Sequence, residues 1–167
     1  MVRAILIISI ITIPVLWFTG CASMQGDSQE RYYHHRSNLG RAMVNDIVEN
    51  VPNILQGKFL YNVSTIRVTG SLIYYETGWN YRNPFQDEMV RDADQARTKF
   101  IVEANLRGRA ISGTGQRQSA RIRLSVQNAV LIEGEGWVGI PAGEGLNQHI
   151  DSVKSELRQA LDIHLGL

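Results

Sequence analysis

The sequence predicts an α+β fold: a two-layer sandwich in which two helices pack on one face of an antiparallel sheet of three to four strands. Three observations lead there. Apolar residues recur at helical spacing from Leu39 to Leu55 and again from Leu146 to Leu161. Between those stretches the apolar period falls to two, the pattern of strands with one buried face. The last two of these runs meet across Gly113-Thr114-Gly115, which marks an antiparallel hairpin. The order helix, three or four strands, helix covers one sheet face and leaves the other wet.

Taken in order, Ser37 or Asn38 can cap the first helix, whose stripe is Leu39, Met43, Ile47, Val51 and Leu55. Pro52 should end or bend it near Glu49 to Val51, since proline brings no N–H to the ladder, and Gly57 closes the segment. In the first strand Ile66, Val68, Gly70, Leu72 and Tyr74 alternate with Arg67, Thr69, Ser71, Ile73 and Tyr75. In the second Phe100, Val102, Ala104, Leu106 and Ala110 alternate with Ile101, Glu103, Asn105, Arg107 and Arg109. In the third Ala120, Ile122, Leu124, Val126 and Val130 alternate with Arg121, Arg123, Ser125 and Gln127. A short fourth strand is expected over 135–140. The closing helix carries Leu146, Ile150, Val153, Leu157 and Ala160 or Leu161, with His149 and His164 at its edge.

Two features of this domain carry functional expectations. Arg107, Arg109, Arg121 and Arg123, with Arg117 at the turn, should project from the wet side of one hairpin. Opposing Glu103 to Arg123 is favourable, whereas Arg107 against Arg121 sets like charges together. The bland reading is a solvated face partly neutralised by Glu103 and Glu76. The functional reading is an anion-binding patch for lipid headgroups, polysaccharide or an acidic protein, because the arginine fork binds phosphate and carboxylate bidentately. The second feature is the connection from Glu76 to Thr98, long for a plain loop. It holds Trp79, Tyr81, Arg82 and Phe85, residue types enriched at interface hot spots, and so is the expected partner-binding site. Its alternative is a local cluster capping an open end of the sheet. An interface requires those aromatics to be exposed and joined to other apolar surface; a ligand site requires a pocket lined by the arginines.

Ahead of the domain, Arg3 precedes an apolar run from Ala4 to Phe18, and Thr19-Gly20 lead into Cys21, the one cysteine of the chain. Read as an uncleaved membrane helix, this run is short and kinked at Pro14. Read as a plain secretory signal, it leaves a lone thiol in an oxidising compartment. The order of charge, apolar run, small residues and cysteine resembles the export signal of bacterial lipoproteins, with Phe18 where that class usually places an aliphatic residue. The resemblance covers Met1 to Cys21 alone. It implies a signal peptide over 1–20 and Cys21 as the lipid-bearing first residue, its sulfur in a thioether to diacylglycerol. Ala22 and Ser23, in place of an Asp after the cysteine, imply the outer membrane, facing the periplasm. Two or three acyl chains then hold the protein, each buried methylene contributing about 0.8 kcal/mol. Residues 21–36 read as the lipidated start and a polar, flexible tether of about fifteen residues with a mean reach of roughly 20 Å, and 37–167 as a single domain.

The chain has 167 residues, with 17 Lys+Arg against 16 Asp+Glu. Removing 20 residues and Arg3 with the signal leaves 147 residues and an even balance of charge. That balance gives no footing for nucleic acid, and with no other cysteine the core must hold by packing. No catalytic residue, cofactor or metal site is expected. His34 and His35 are adjacent and point to different faces of any regular element. Asp87, Glu88, Asp92 and Asp94 form an acidic group with nothing to place a substrate between them, and Asp92-Ala93-Asp94 departs from a calcium loop at Ala96 and Arg97. Gly134 to Gly139 matches G-x-G-x-x-G in letters, but Pro141 follows, and Glu133 and Glu135 repel a pyrophosphate. The expected function is a non-catalytic accessory or assembly component of an envelope complex, with the membrane and an envelope protein as partners. The alternative is a binding module for an anionic envelope lipid or polysaccharide through the arginine face.

Overall fold

A computed structural model describes residues 33–89, 92–106 and 118–163. The expected signal peptide, Cys21, most of the tether, Arg107, Arg109, Arg117 and the Gly113-Thr114-Gly115 turn lie outside the described residues. Within them the sheet dominates. Its strands are β1 (Tyr33–Met43), β2 (Val63–Val68), β3 (Leu72–Thr77), β4 (Asn80–Arg82), β5 (Ala93–Leu106), β6 (Ser119–Ile132) and β7 (Gly136–Val138). The helices are α1 (Val44–Pro52), α2 (Gln86–Met89) and α3 (Glu144–Ala160). All pairings are antiparallel, in the order β1, β6, β5, β3, β2, with β4 on β5 and β7 on β6. The expected α+β sandwich on a three- to four-stranded sheet is therefore corrected to a sheet-dominated fold of seven strands and three helices.

Each departure has a local cause. Leu39 and Met43 continue the four-residue spacing of α1, yet they belong to β1. A register shift between Asn38 and Gly40 inserts an extra residue, so the strand's alternation breaks and what remains mimics a helix. Gly40 holds that bulge at φ 125°, and the place a Cβ would take is filled by the Ile163 side chain, so only glycine fits. The helix begins at Val44 and does not stop at Pro52. It runs on as a π-helical segment, Asn53–Lys58, closed by the Phe59 N–H donating to the Ile54 carbonyl at 3.2 Å.

The run expected as one strand over 66–75 is a hairpin. At its turn the Thr69 N–H donates to the Leu72 carbonyl at 2.8 Å, and Thr69 Oγ1 accepts the Leu72 N–H at 3.0 Å. The turn shifts the alternation by one, so β3 buries Ile73, Tyr75 and Thr77 in place of Leu72 and Tyr74. The connection from Glu76 to Thr98 is likewise structured: β4 pairs with β5, and α2 follows.

The fourteen-residue strands β5 and β6 form the spine, paired from Ala93 opposite Ile132 to Leu106 opposite Ala120. Phe100, Val102, Ala104, Ile122, Leu124 and Val126 point to the helices and join Ile47, Val51, Leu55, Leu146, Ile150, Val153 and Leu157 in one core. Fully burying a side chain of this size contributes about 1.5–3 kcal/mol. The start of α3 closes tightly on the segment before α2. A Cβ on Gly145 would lie 2.7 Å from the Phe85 ring, so this approach also needs glycine. Among the described residues no helix is long and apolar enough to cross a membrane.

Candidate functional site

All the helices lie over one face of the sheet; the other is bare among the described residues. Antiparallel pairing arranges the bare face in rows across the strands. One row reads Asn38, Arg123, Glu103, Tyr74, Arg67. The next reads Arg41, Arg121, Asn105, Leu72, and on the other side lie Arg36, Ser125, Ile101, Glu76. Arg36, Arg41, Arg121 and Arg123 are exposed, and none forms a salt bridge with a described carboxylate. The observed register opposes Glu103 to Arg123 and sets Asn105, not Arg107, against Arg121. Arg36 and Arg41 were not anticipated as part of this face, because the spacing of Leu39 and Met43 concealed β1. The alternation of His34, Arg36 and Asn38 with half-buried residues was the signal available.

Arg41 and Arg121 stand directly opposite each other, a like-charge pair that costs stability. Their neighbours Ala42 and Ala120 are buried in the core, so slipping the register would expose the core to relieve the repulsion. Charge that balances over the whole chain is thus sorted by layer. The rows carry Arg36, Arg41, Arg67, Arg97, Lys99, Arg121 and Arg123 against Glu76 and Glu103. The helices carry Asp46, Glu49, Asp87, Glu88, Glu144, Asp151 and Glu156 against Lys154 and Arg158.

Toward β4 and β7 the same face becomes aromatic. The Arg97 guanidinium lies between two indoles, 4.5 Å from the Trp79 ring centroid and 4.1 Å from that of Trp137. Tyr81, opposite Arg97 and 55% exposed, meets Trp137 edge-on with centroids 5.8 Å apart. Lys99 Nζ lies 4.9 Å from the Trp79 ring and donates to Glu76 Oε1 at 2.8 Å, while the Tyr74 hydroxyl donates to Glu76 Oε2 at 2.6 Å. Burial raises the Glu76 pKa, but these bonds outweigh it and hold the carboxyl below its usual range. Burial, with the Glu76 bond and charge, pushes the Tyr74 hydroxyl up to about 12.

Arg82 and Phe85 turn the other way, into the molecule. Arg82 grips Glu88 with both terminal nitrogens, Nη1 to Oε2 at 2.6 Å and Nη2 to Oε1 at 2.8 Å. It also donates to Asn128 Oδ1 at 3.1 Å and Thr98 Oγ1 at 3.2 Å, with its plane 4.0 Å from the Phe85 ring centroid. Glu88, 1% exposed, further accepts the Phe85 N–H at 2.8 Å and Asn128 Nδ2 at 3.1 Å. Burial alone would raise its pKa; the bonds from Arg82, Phe85 and Asn128 lower it instead. The expected contact set Trp79, Tyr81, Arg82 and Phe85 is therefore divided. Arg82 and Phe85 fasten β4 and α2 to the sheet, while Tyr81 and the indole of Trp79 belong to the bare face. Nothing in the spacing of Arg82, Glu88 and Asn128 announces their meeting, since 46 residues separate the first from the last.

His149 is half-buried at the edge of the apolar stripe of α3. Its Nε2 is 2.9 Å from the Tyr61 hydroxyl, and its ring packs near Phe59, Phe85 and Phe100. Burial and the Arg82 charge lower its pKa. A concavity of about 540 Å³ beside α2 and the start of α3 is lined by Phe85, Gln86, Asp87, Glu144, Gly145 and Gln148. A smaller one of about 210 Å³ includes Arg41 together with Asp46 and Asp162. Neither gathers the arginines, which spread over an open face suited to an extended surface more than to enclosing a small ligand. No protein family, curated protein or solved structure matches the chain.

Proposed function

We propose that the chain is a lipid-anchored component of the bacterial cell envelope, held through Cys21 in the outer membrane on its periplasmic side, and that its domain works by binding without catalysis. The bare sheet face is the contact, and its target is an anionic component of the envelope. The observation that carries this reading is the group Arg36, Arg41, Arg121 and Arg123, exposed on two adjacent strands and forming no salt bridge among the described residues. Two of these arginines repel each other across the strands, an arrangement that a bridging anion relieves. An accessory role in a larger envelope assembly is supported by the exposed Tyr81, which offers a protein partner one aromatic contact beside the cationic face.

Two measurements test the two halves of this reading. Intact-mass analysis of the protein from envelope fractions should show Cys21 at the N-terminus carrying two or three acyl chains; a start at Met1 or a free thiol removes the anchor. Titration of the acylated protein, held in uncharged detergent micelles, with heparin as a soluble polyanion should give binding that weakens as salt rises. Replacing Arg36, Arg41, Arg121 and Arg123 by Gln should abolish it. Equal binding by that variant removes the face.

A further inference from the structure

Building on the reading of the bare face as an anion-binding surface, we infer that its partner is the phospholipid surface of the membrane that holds the anchor, against which the sheet lies flat. Three features converge on this occupant. The first is composition: the aromatic residues Trp79, Tyr81 and Trp137 share one open face with Arg36, Arg41, Arg121 and Arg123. Trp and Tyr settle at the headgroup level of bilayers, and arginine lays its stem on apolar surface while its fork reaches phosphate.

The second is where the chain enters. Tyr33, the first residue of β1, is opposite Asn128, which is opposite Thr98 beside Arg97. The segment arriving from Cys21 thus joins the sheet at its aromatic end. Eleven residues separate Cys21 from Tyr33, and that length of chain reaches at most about 40 Å. From Arg97 to Asn105 the face measures roughly 26 Å along the strands, and the five strands from β1 to β2 span roughly 19 Å. An anchor at one end of so small a face keeps the whole of it within reach of the bilayer. Tethering makes the contact intramolecular, so a weak attraction populates it.

The third is the layered charge. Asp151 and Glu156 pair with Lys154 and Lys58, but Asp46, Glu49, Asp87 and Glu144 lie on the helices with no salt bridge among the described residues. With the cationic rows against an anionic leaflet they point away from it, whereas the reverse orientation sets carboxylates against phosphates.

Tryptophan emission reads this docking directly. Removal of residues 1–20 takes Trp17 with it, leaving Trp79 and Trp137, both in the aromatic cluster. The acylated protein is inserted in nanodiscs of phosphatidylcholine, or of phosphatidylcholine with phosphatidylglycerol, with brominated acyl chains as quenchers. The anchor holds the protein in both, so a difference between discs reports the face alone. Quenching is expected on the phosphatidylglycerol discs and should disappear in high salt. The docked-to-undocked ratio should fall about fivefold for each arginine replaced by Gln. Single Arg36→Gln and Arg123→Gln variants serve where the fourfold variant fails to fold. Quenching equal on both discs, or unaltered by the arginine variants, overturns the membrane assignment. Absent quenching with heparin binding retained also overturns it while sparing the anion-binding reading, and points to a polysaccharide. Loss of both removes the two readings together.

Discussion

Replacing Glu88 by Gln removes one charge and exchanges one oxygen for an NH2 group, and the structure sets the size of the effect. Oε1 accepts from Arg82 Nη2 and Asn128 Nδ2; Oε2 accepts from Arg82 Nη1 and the Phe85 N–H. Whichever way the new amide turns, its nitrogen faces two donors, and the Arg82 side chain, 17% exposed, keeps no carboxylate against it. Breaking a buried pair by removing one partner costs about 3–5 kcal/mol. For a domain of this size that lowers Tm by roughly 10–20 °C. Thermal and urea unfolding of Glu88→Gln, Arg82→Met and the double variant Arg82→Met with Glu88→Leu measure it. The double variant should be more stable than either single one, because it leaves no buried charge unanswered. A drop below about 4 °C in Glu88→Gln, the behaviour of an exposed ion pair worth about 1 kcal/mol, would refute the claim that this network fastens β4 and α2 to the sheet.

Three further outcomes follow from the structure. The His149 pKa is lowered in the fold, so the unfolded chain takes up this proton first as pH falls through its ordinary value of 6.5. Stability should therefore decline below that pH by up to about 1.4 kcal/mol per unit, until the folded pKa is reached, and His149→Phe should flatten this part of a urea-midpoint profile. Glu88 and Glu76, also lowered, add a second loss as pH falls through 4.5, where the unfolded carboxylates protonate before the folded ones; a profile flat from pH 7 to 4 contradicts both assignments. Gly40→Ala meets a φ of 125° and the Ile163 side chain at once, and should cost roughly 2–4 kcal/mol by chemical denaturation. Adding Ile163→Ala should recover the steric part alone; a neutral Gly40→Ala would refute the requirement for glycine at the bulge.

The parts of the fold legible in the sequence are those whose signal is local. The alternation of Phe100, Val102 and Ala104, and that of Ile122, Leu124 and Val126, assigns the buried face of β5 and β6, since a strand's side chains alternate whatever it pairs with. The stripe Leu146, Ile150, Val153, Leu157 marks α3 for the same reason at a period of 3.6. Where a local irregularity intervenes the pattern misleads. The bulge at Gly40 passes β1 off as helix, and the tight turn after Thr69 hides a hairpin inside one apparent strand.

The sequence by itself determined the buried and exposed faces of β5 and β6 and the apolar stripe of α3. Only the tertiary structure decided that the bare face runs across five strands, that Arg36 and Arg41 join Arg121 and Arg123 on it, and that Arg82 belongs to the interior. The physical reason is range. Periodicity records which way a side chain points within its own element, whereas cross-strand register and a buried ion pair depend on partners dozens of residues away. Those partners are chosen by the packing of the whole core.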